Sequence, residues 1–218
     1  MLTEIKTLIA KDFRLEFRQK QTIYGILLYL VSTIFIAHLA FVNAISPETW
    51  NSLFWIILLF VAVNGISKSF IQENPCRQLY YYTISSPQAA LLSKIIYNFF
   101  LMSALSALSF VFFLLLMGNP VVHIPLFLAT LALGSLALSS VLTLVAAIAS
   151  RAGHSFSLMA ILAFPIVLPF LSVLMKLSRL ALTSTRWQGS GSLFLILIAV
   201  NLSVIMIAYL LFPYLWKD

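Results

Sequence analysis

The chain has 218 residues, 62% of them hydrophobic and 9% charged, with a mean hydropathy of +1.05 and a formal net charge of +7. A water-soluble core of this length cannot bury so much apolar surface, so the composition excludes a soluble globular domain and points to an integral membrane protein. The excess of positive charge is accounted for by orientation in a membrane, and no nucleic-acid partner is inferred.

Residues 1–22 precede any apolar run. At 100° per residue, Ile5, Ile9, Phe13 and Phe17 form an apolar stripe, with Lys11, Arg14 and Arg18 on the far side. That pattern predicts an amphipathic helix lying in the membrane interface. Asp12 and Glu16 of "KDFRLEFRQK" fall near the apolar face, where lipid alone disfavours carboxylates. They pair either with a Lys or Arg one turn away or with a protein partner, which would be an inner loop or another subunit.

A helix that crosses the hydrocarbon needs roughly 20 apolar residues. Six stretches qualify: 24–42, 50–67, 95–117, 124–150, 156–175 and 193–215. The runs are continuously apolar rather than alternating, which predicts helices and excludes barrel strands. The expected fold class is therefore an all-α integral membrane protein, with one transmembrane domain over residues 1–218. The first run is too long for the apolar core of a signal peptide and follows charges of both signs, so it is expected to stay in the mature protein.

From Lys68 to Lys94 the chain leaves the apolar pattern. The stretch reads as a short apolar-aromatic helix, a Ser85-Ser86-Pro87 turn that starts another helix, and a basic stop at Lys94 before the third span. Tyr80, Tyr81 and Tyr82 belong either to an aromatic belt at the interface or to a docking surface. Cys76 is the single cysteine, so no internal disulfide can form, and its thiol is expected on the inner side. "GNPVVHIP" then interrupts the longest charge-free run and predicts a tight outer hairpin between the third and fourth spans.

Ser135, Ser139, Thr143 and Ala147 recur every four residues on the fourth span, a small-residue face that admits a close neighbour, either another span or a second copy. In the fifth span Pro165 and Pro169 free backbone carbonyls, which predicts a kinked helix buried against protein or lining a wet cavity. Lys176, Arg179, Arg186 and Trp187 mark an outer interfacial segment over 176–191. His38 and His123 fall toward the outer face and are candidate haem ligands, although hydrogen-bonded interfacial histidines are the plainer reading. His154 falls on the inner side.

Both termini on the cytoplasmic side puts most of the 13 Lys and Arg residues inside. All six acidic residues, Glu4, Asp12, Glu16, Glu48, Glu73 and Asp218, lie outside the spans, which argues against an ion-coupled carrier. There is no G-x-S-x-G, no H-E-x-x-H and no Walker A sequence. The chain is not expected to be an enzyme, and any work it takes part in draws energy from another subunit.

The succession of "KDFRLEFRQK", then "QLYYYTISSPQAALLSK" with Pro87 and Lys94, then Arg151-Ala152-Gly153 beside the Pro165/Pro169 pair resembles the haem exporter B family. These are the permease subunits of the ABC transporter for cytochrome c maturation, and the likeness covers essentially the whole chain. It implies an ABC-2-like permease in the bacterial cytoplasmic (inner) membrane. It further implies that 68–94 is a coupling loop for a cytosolic ATPase, present in two copies, with Gln78, Leu79, Tyr81, Ile84, Pro87 and Lys94 as coupling residues. The other implied partners are a haem-handling membrane protein, a haem chaperone and a second permease copy, besides membrane lipid. The implied function is haem export or ATP-driven release of a haem-loaded chaperone. The alternatives are a permease of the same architecture for lipid, polysaccharide or drug, and a non-transporting assembly scaffold. No firmly bound cofactor is expected; haem enters as cargo. Trp50, Trp55, Trp187 and Trp216 are scattered, unlike the Trp-rich outer motif of the haem-handling partner.

Overall fold

Local chemistry at the ends of the apolar runs decides where the helices begin and stop. In the computed structural model, which describes residues 2–18, 20–41, 45–71, 86–151, 156–183, 187 and 189–217, the elements are all helical. They are α1 (Leu2–Arg18), α2 (Lys20–Ala40), α3 (Pro47–Ile71), α4 (Pro87–Met117), α5 (Ile124–Arg151), α6 (Phe156–Thr183) and α7 (Ser190–Lys217). At the start of α3, Ser46 Oγ accepts the Thr49 N–H at 3.2 Å, and Pro47 occupies the first helical position, where a missing N–H costs nothing. His123 does the same for α5, its Nδ1 accepting the Leu126 N–H at 3.0 Å. Gly118, at φ +82°, closes α4 in a conformation that a side chain would strain.

The six helices α2 to α7 are each long and apolar enough to cross a membrane, as the sequence predicts. The end of the bundle formed by the starts of α2, α4 and α6 is called basal below, and the opposite end distal. Two boundaries differ from expectation. Residues 87–94 and the third span form one unbroken helix, so the expected stop at Lys94 is absent. Likewise α6 runs on through Lys176 and Arg179 to Thr183, where an interfacial segment was expected to have begun. In both places a charged side chain that would end a span in lipid has a partner from a distant part of the chain.

The core forms around α5, the most enclosed of the six, which packs on α3, α4, α6 and α7. Its small residues are the reason. An added Cβ on Gly134 would lie 2.7 and 2.9 Å from two ring carbons of Trp55, so glycine is what lets α3 approach this closely. Toward the distal end Trp50, Phe54, Phe110, Phe113 and Phe127 interlock, with ring centroids 4.8 to 6.5 Å apart. Leu28, Leu115, Ile161, Leu195 and Met206 are exposed, consistent with an outer surface solvated by lipid tails.

Candidate coupling site at the basal end

The N-terminal helix is held by protein contacts. Ser86 Oγ donates to the Glu4 carboxylate at 3.1 Å, and Lys94 Nζ lies 3.6 Å from Asp12 Oδ1. Phe13 meets Tyr97 edge-on at 5.2 Å and lies 6.3 Å from Phe100. These contacts advance in the same order along both helices, so α1 runs beside the first turns of α4 and in the same direction. Of the two readings of the misplaced carboxylates, the geometry supplies the protein partner for Asp12, which turns inward to Lys94 of α4.

The electrostatics of this junction are unusual for a surface. Asp12 and Lys94 are only 6% and 8% exposed. Lys11 Nζ also approaches Asp12 Oδ1, at 3.1 Å, while the second carboxylate oxygen is buried without a hydrogen bond. Buried ions are costly to desolvate, and of the two cations on Asp12 only Lys94 comes from another helix, since Lys11 is its neighbour on α1. The pair therefore fixes one register of α1 on α4.

Polar contacts continue inward from this junction. Asn98 Nδ2 donates to Thr143 Oγ1 at 2.8 Å, and the Ser106 and Ser135 hydroxyls are 3.0 Å apart. The face carrying Ser135, Ser139, Thr143 and Ala147 is buried, and both of these hydrogen bonds lead to α4 of the same chain. Ser140 donates to Asn201 Oδ1 of α7 at 3.3 Å. Near the distal end Ser178 Oγ accepts from Trp55 Nε1 at 2.8 Å and donates to Asn51 Oδ1 at 2.6 Å; Asn51 Nδ2 in turn donates to the Met175 carbonyl at 3.0 Å. Glu48 and Arg179 form an exposed ion pair beside them. Asn51, Asn98, Tyr97 and Ser178 were missed in the sequence. A lone amide inside an apolar run, such as Asn98 in "IIYNFF", was the available signal.

This arrangement has the makings of a mechanical device: α1 clamped to a long helix whose first residues follow directly on the inter-span segment 72–85. The CcmB protein family matches residues 3–214, nearly the entire chain. The chain belongs to the CcmB family, the haem exporter B proteins. Family membership makes it a multi-pass membrane permease component for haem export in cytochrome c biogenesis. Comparison with curated proteins and with solved structures finds no match.

Among the coupling residues implied by resemblance to the CcmB family, Gln78, Leu79, Tyr81 and Ile84 lie outside the described residues, as does Cys76. Pro87 is the first residue of α4, and Lys94 is the buried partner of Asp12. Pro165 and Pro169 stand inside an unbroken α6 but on its exposed side, not buried against this chain as expected. The reason is helical phase: Ala163, Val167, Phe170 and Leu174 take the core-facing side, which leaves both prolines on the other. His38 sits in the last turn of α2, whereas His123 heads α5, its backbone N–H bonded to the Ala181 carbonyl at 2.9 Å. Trp187 packs edge-on against the His123 ring at 5.5 Å. Because His123 Nδ1 accepts the cap hydrogen bond, the neutral ring carries its proton on Nε2, the other nitrogen through which it could bind iron. Cap formation and iron ligation through Nε2 thus compete.

Proposed function

We propose that this chain is the membrane permease of an ATP-driven complex in the bacterial cytoplasmic membrane, with its basal end and both termini in the cytoplasm. Residues 68–94 receive a separate ATPase subunit, present in two copies, and nucleotide-driven closure of that subunit displaces the start of α4. The work done is haem export, or release of a haem-loaded chaperone, at the distal side, together with a haem-handling membrane protein and a second copy of the permease. Haem is cargo in this scheme, and energy comes from the ATPase.

One observation supports the reading more than any other. The 31 residues of α4 form a single helix from Pro87 through Lys94 to Met117. At 1.5 Å per residue that is about 46 Å, enough to carry a push at its first residue through the bilayer as a rigid body. A Gly-Ser connection at the same place would absorb the displacement.

Deleting the gene is expected to abolish covalent c-type haem while haem b proteins persist; unchanged c-type haem removes the cargo assignment. Leu79→Asp and Tyr81→Ala are expected to leave the helices inserted but to uncouple ATP hydrolysis from haem transfer. Recovery of the folded chain from native membranes in mild detergent, with no ATPase attached, counts against the coupled complex and favours the scaffold alternative.

A further inference from the structure

We infer that α1 is a strut that makes α2 and α4 move as one body, and that the Asp12–Lys94 pair is the pin that holds it. The inference rests on the coupling reading above, because it concerns how a displacement of segment 68–94 spreads once it arrives.

Connectivity comes first. A single residue, Gln19, separates α1 from α2 in the sequence, so α1 cannot shift far without carrying the start of the first span. Its other attachment is α4, through Glu4 to Ser86, Asp12 to Lys94 and Phe13 to Tyr97. By contrast α2 meets α3 and α4 through small and aliphatic side chains alone, with Ile26, Leu30 and Ile34 buried and Leu27, Val31 and Ala37 partly buried beside them. A displacement of α4 passed only through those aliphatic contacts could be lost by sliding. Passed through α1, it reaches the first residues of α2 directly.

The chemistry of the pin fits this role better than a role in stability. Phe13 against Tyr97 and Phe100 already supplies apolar adhesion. Adding a carboxylate that is 6% exposed, with one oxygen lacking any hydrogen bond, is a poor way to strengthen the contact, since apolar residues of similar size often stabilise a buried site better than an ion pair does. An ion pair does something apolar packing does not: it penalises a shift in register. Greasy surfaces tolerate sliding by a fraction of a turn, whereas separating buried Asp12 from Lys94 takes a counter-charge from each, and Lys11, which lies on α1 itself and moves with Asp12, cannot replace that contact across the two helices.

The test uses the full-length chain in native membranes with its partners present. Asp12→Lys, Lys94→Asp and the combined exchange are made, each with a benzophenone amino acid at position 13, and the joined α1–α4 peptides are quantified by mass spectrometry after illumination. Each single reversal is expected to lower both the cross-link and covalent c-type haem about tenfold, with the exchange restoring both to about half or more, because the interaction depends on the pair. The amount of chain in the membrane is expected to change less than about twofold. If single reversals remove the chain from the membrane, Asp12→Asn and Lys94→Met provide the same comparison without placing like charges together. An undiminished cross-link in the single variants overturns the pin. A restored cross-link without restored c-type haem overturns the strut. Should gene deletion itself leave c-type haem unchanged, the coupling reading fails, yet the cross-link still judges the pin.

Discussion

Gly134→Ala tests the packing that sets the distance between α3 and α5. The new Cβ would stand 2.7 and 2.9 Å from two carbons of the Trp55 ring and 3.2 Å from a methyl of Leu174, where ordinary contact begins near 3.4 Å. Trp55 has little freedom to yield: it is fully buried, meets Phe54 edge-on at 5.5 Å and donates to Ser178. Either the helices separate by roughly half an ångström or more, an overpacking cost of about 1–3 kcal/mol, or the indole turns. Turning sacrifices the Ser178 hydrogen bond, worth about 0.6 kcal/mol on average for such bonds between membrane helices. Trp55→Phe removes the clashing part of the indole, so Gly134→Ala made in that background is expected to cost less, by about 1–3 kcal/mol. Unfolding in mixed micelles by increasing SDS, followed by circular dichroism, measures all four corners of the cycle. Equal costs of Gly134→Ala in the two backgrounds would refute the claim that Trp55 is what glycine makes room for.

Three further outcomes are expected. Thr143→Val leaves the buried Asn98 amide without a partner and should destabilise by about 1–3 kcal/mol, while adding Asn98→Leu should recover much of the loss in the same micelle assay; no recovery would mean that the pair is not the unit that matters. His123→Asn keeps an acceptor for the Leu126 N–H and should support normal c-type haem, whereas His123→Ala should cost about 1 kcal/mol of stability; loss of haem delivery in the Asn variant with normal stability would instead point to iron ligation. A membrane-impermeant maleimide applied to intact cells with permeabilised outer membranes should leave Cys76 unlabelled until the inner membrane is opened, and immediate labelling would invert the proposed topology.

Solvent preference is a local property, which is why six apolar runs could be counted along the chain and why all six appear as helices of spanning length. Helical period is local too. It marked the Ser135, Ser139, Thr143, Ala147 face as a place of close approach and put Asp12 where lipid would reject it. What a face meets is not local. Thr143 receives Asn98, Lys94 within α4 lies against Asp12, and Arg179 within α6 pairs with Glu48, partners 45, 82 and 131 positions away. Charge in a run of apolar residues reads as the edge of the membrane until its counter-charge is located. The prolines of α6 show the converse: their presence in a helix could be read, but the side they occupy follows from which neighbours the rest of the helix faces. Hydrophobicity and spacing therefore determined the class of the molecule and its elements, whereas partner choice, and with it the clamp of α1 on α4, waited for distant segments to be brought together.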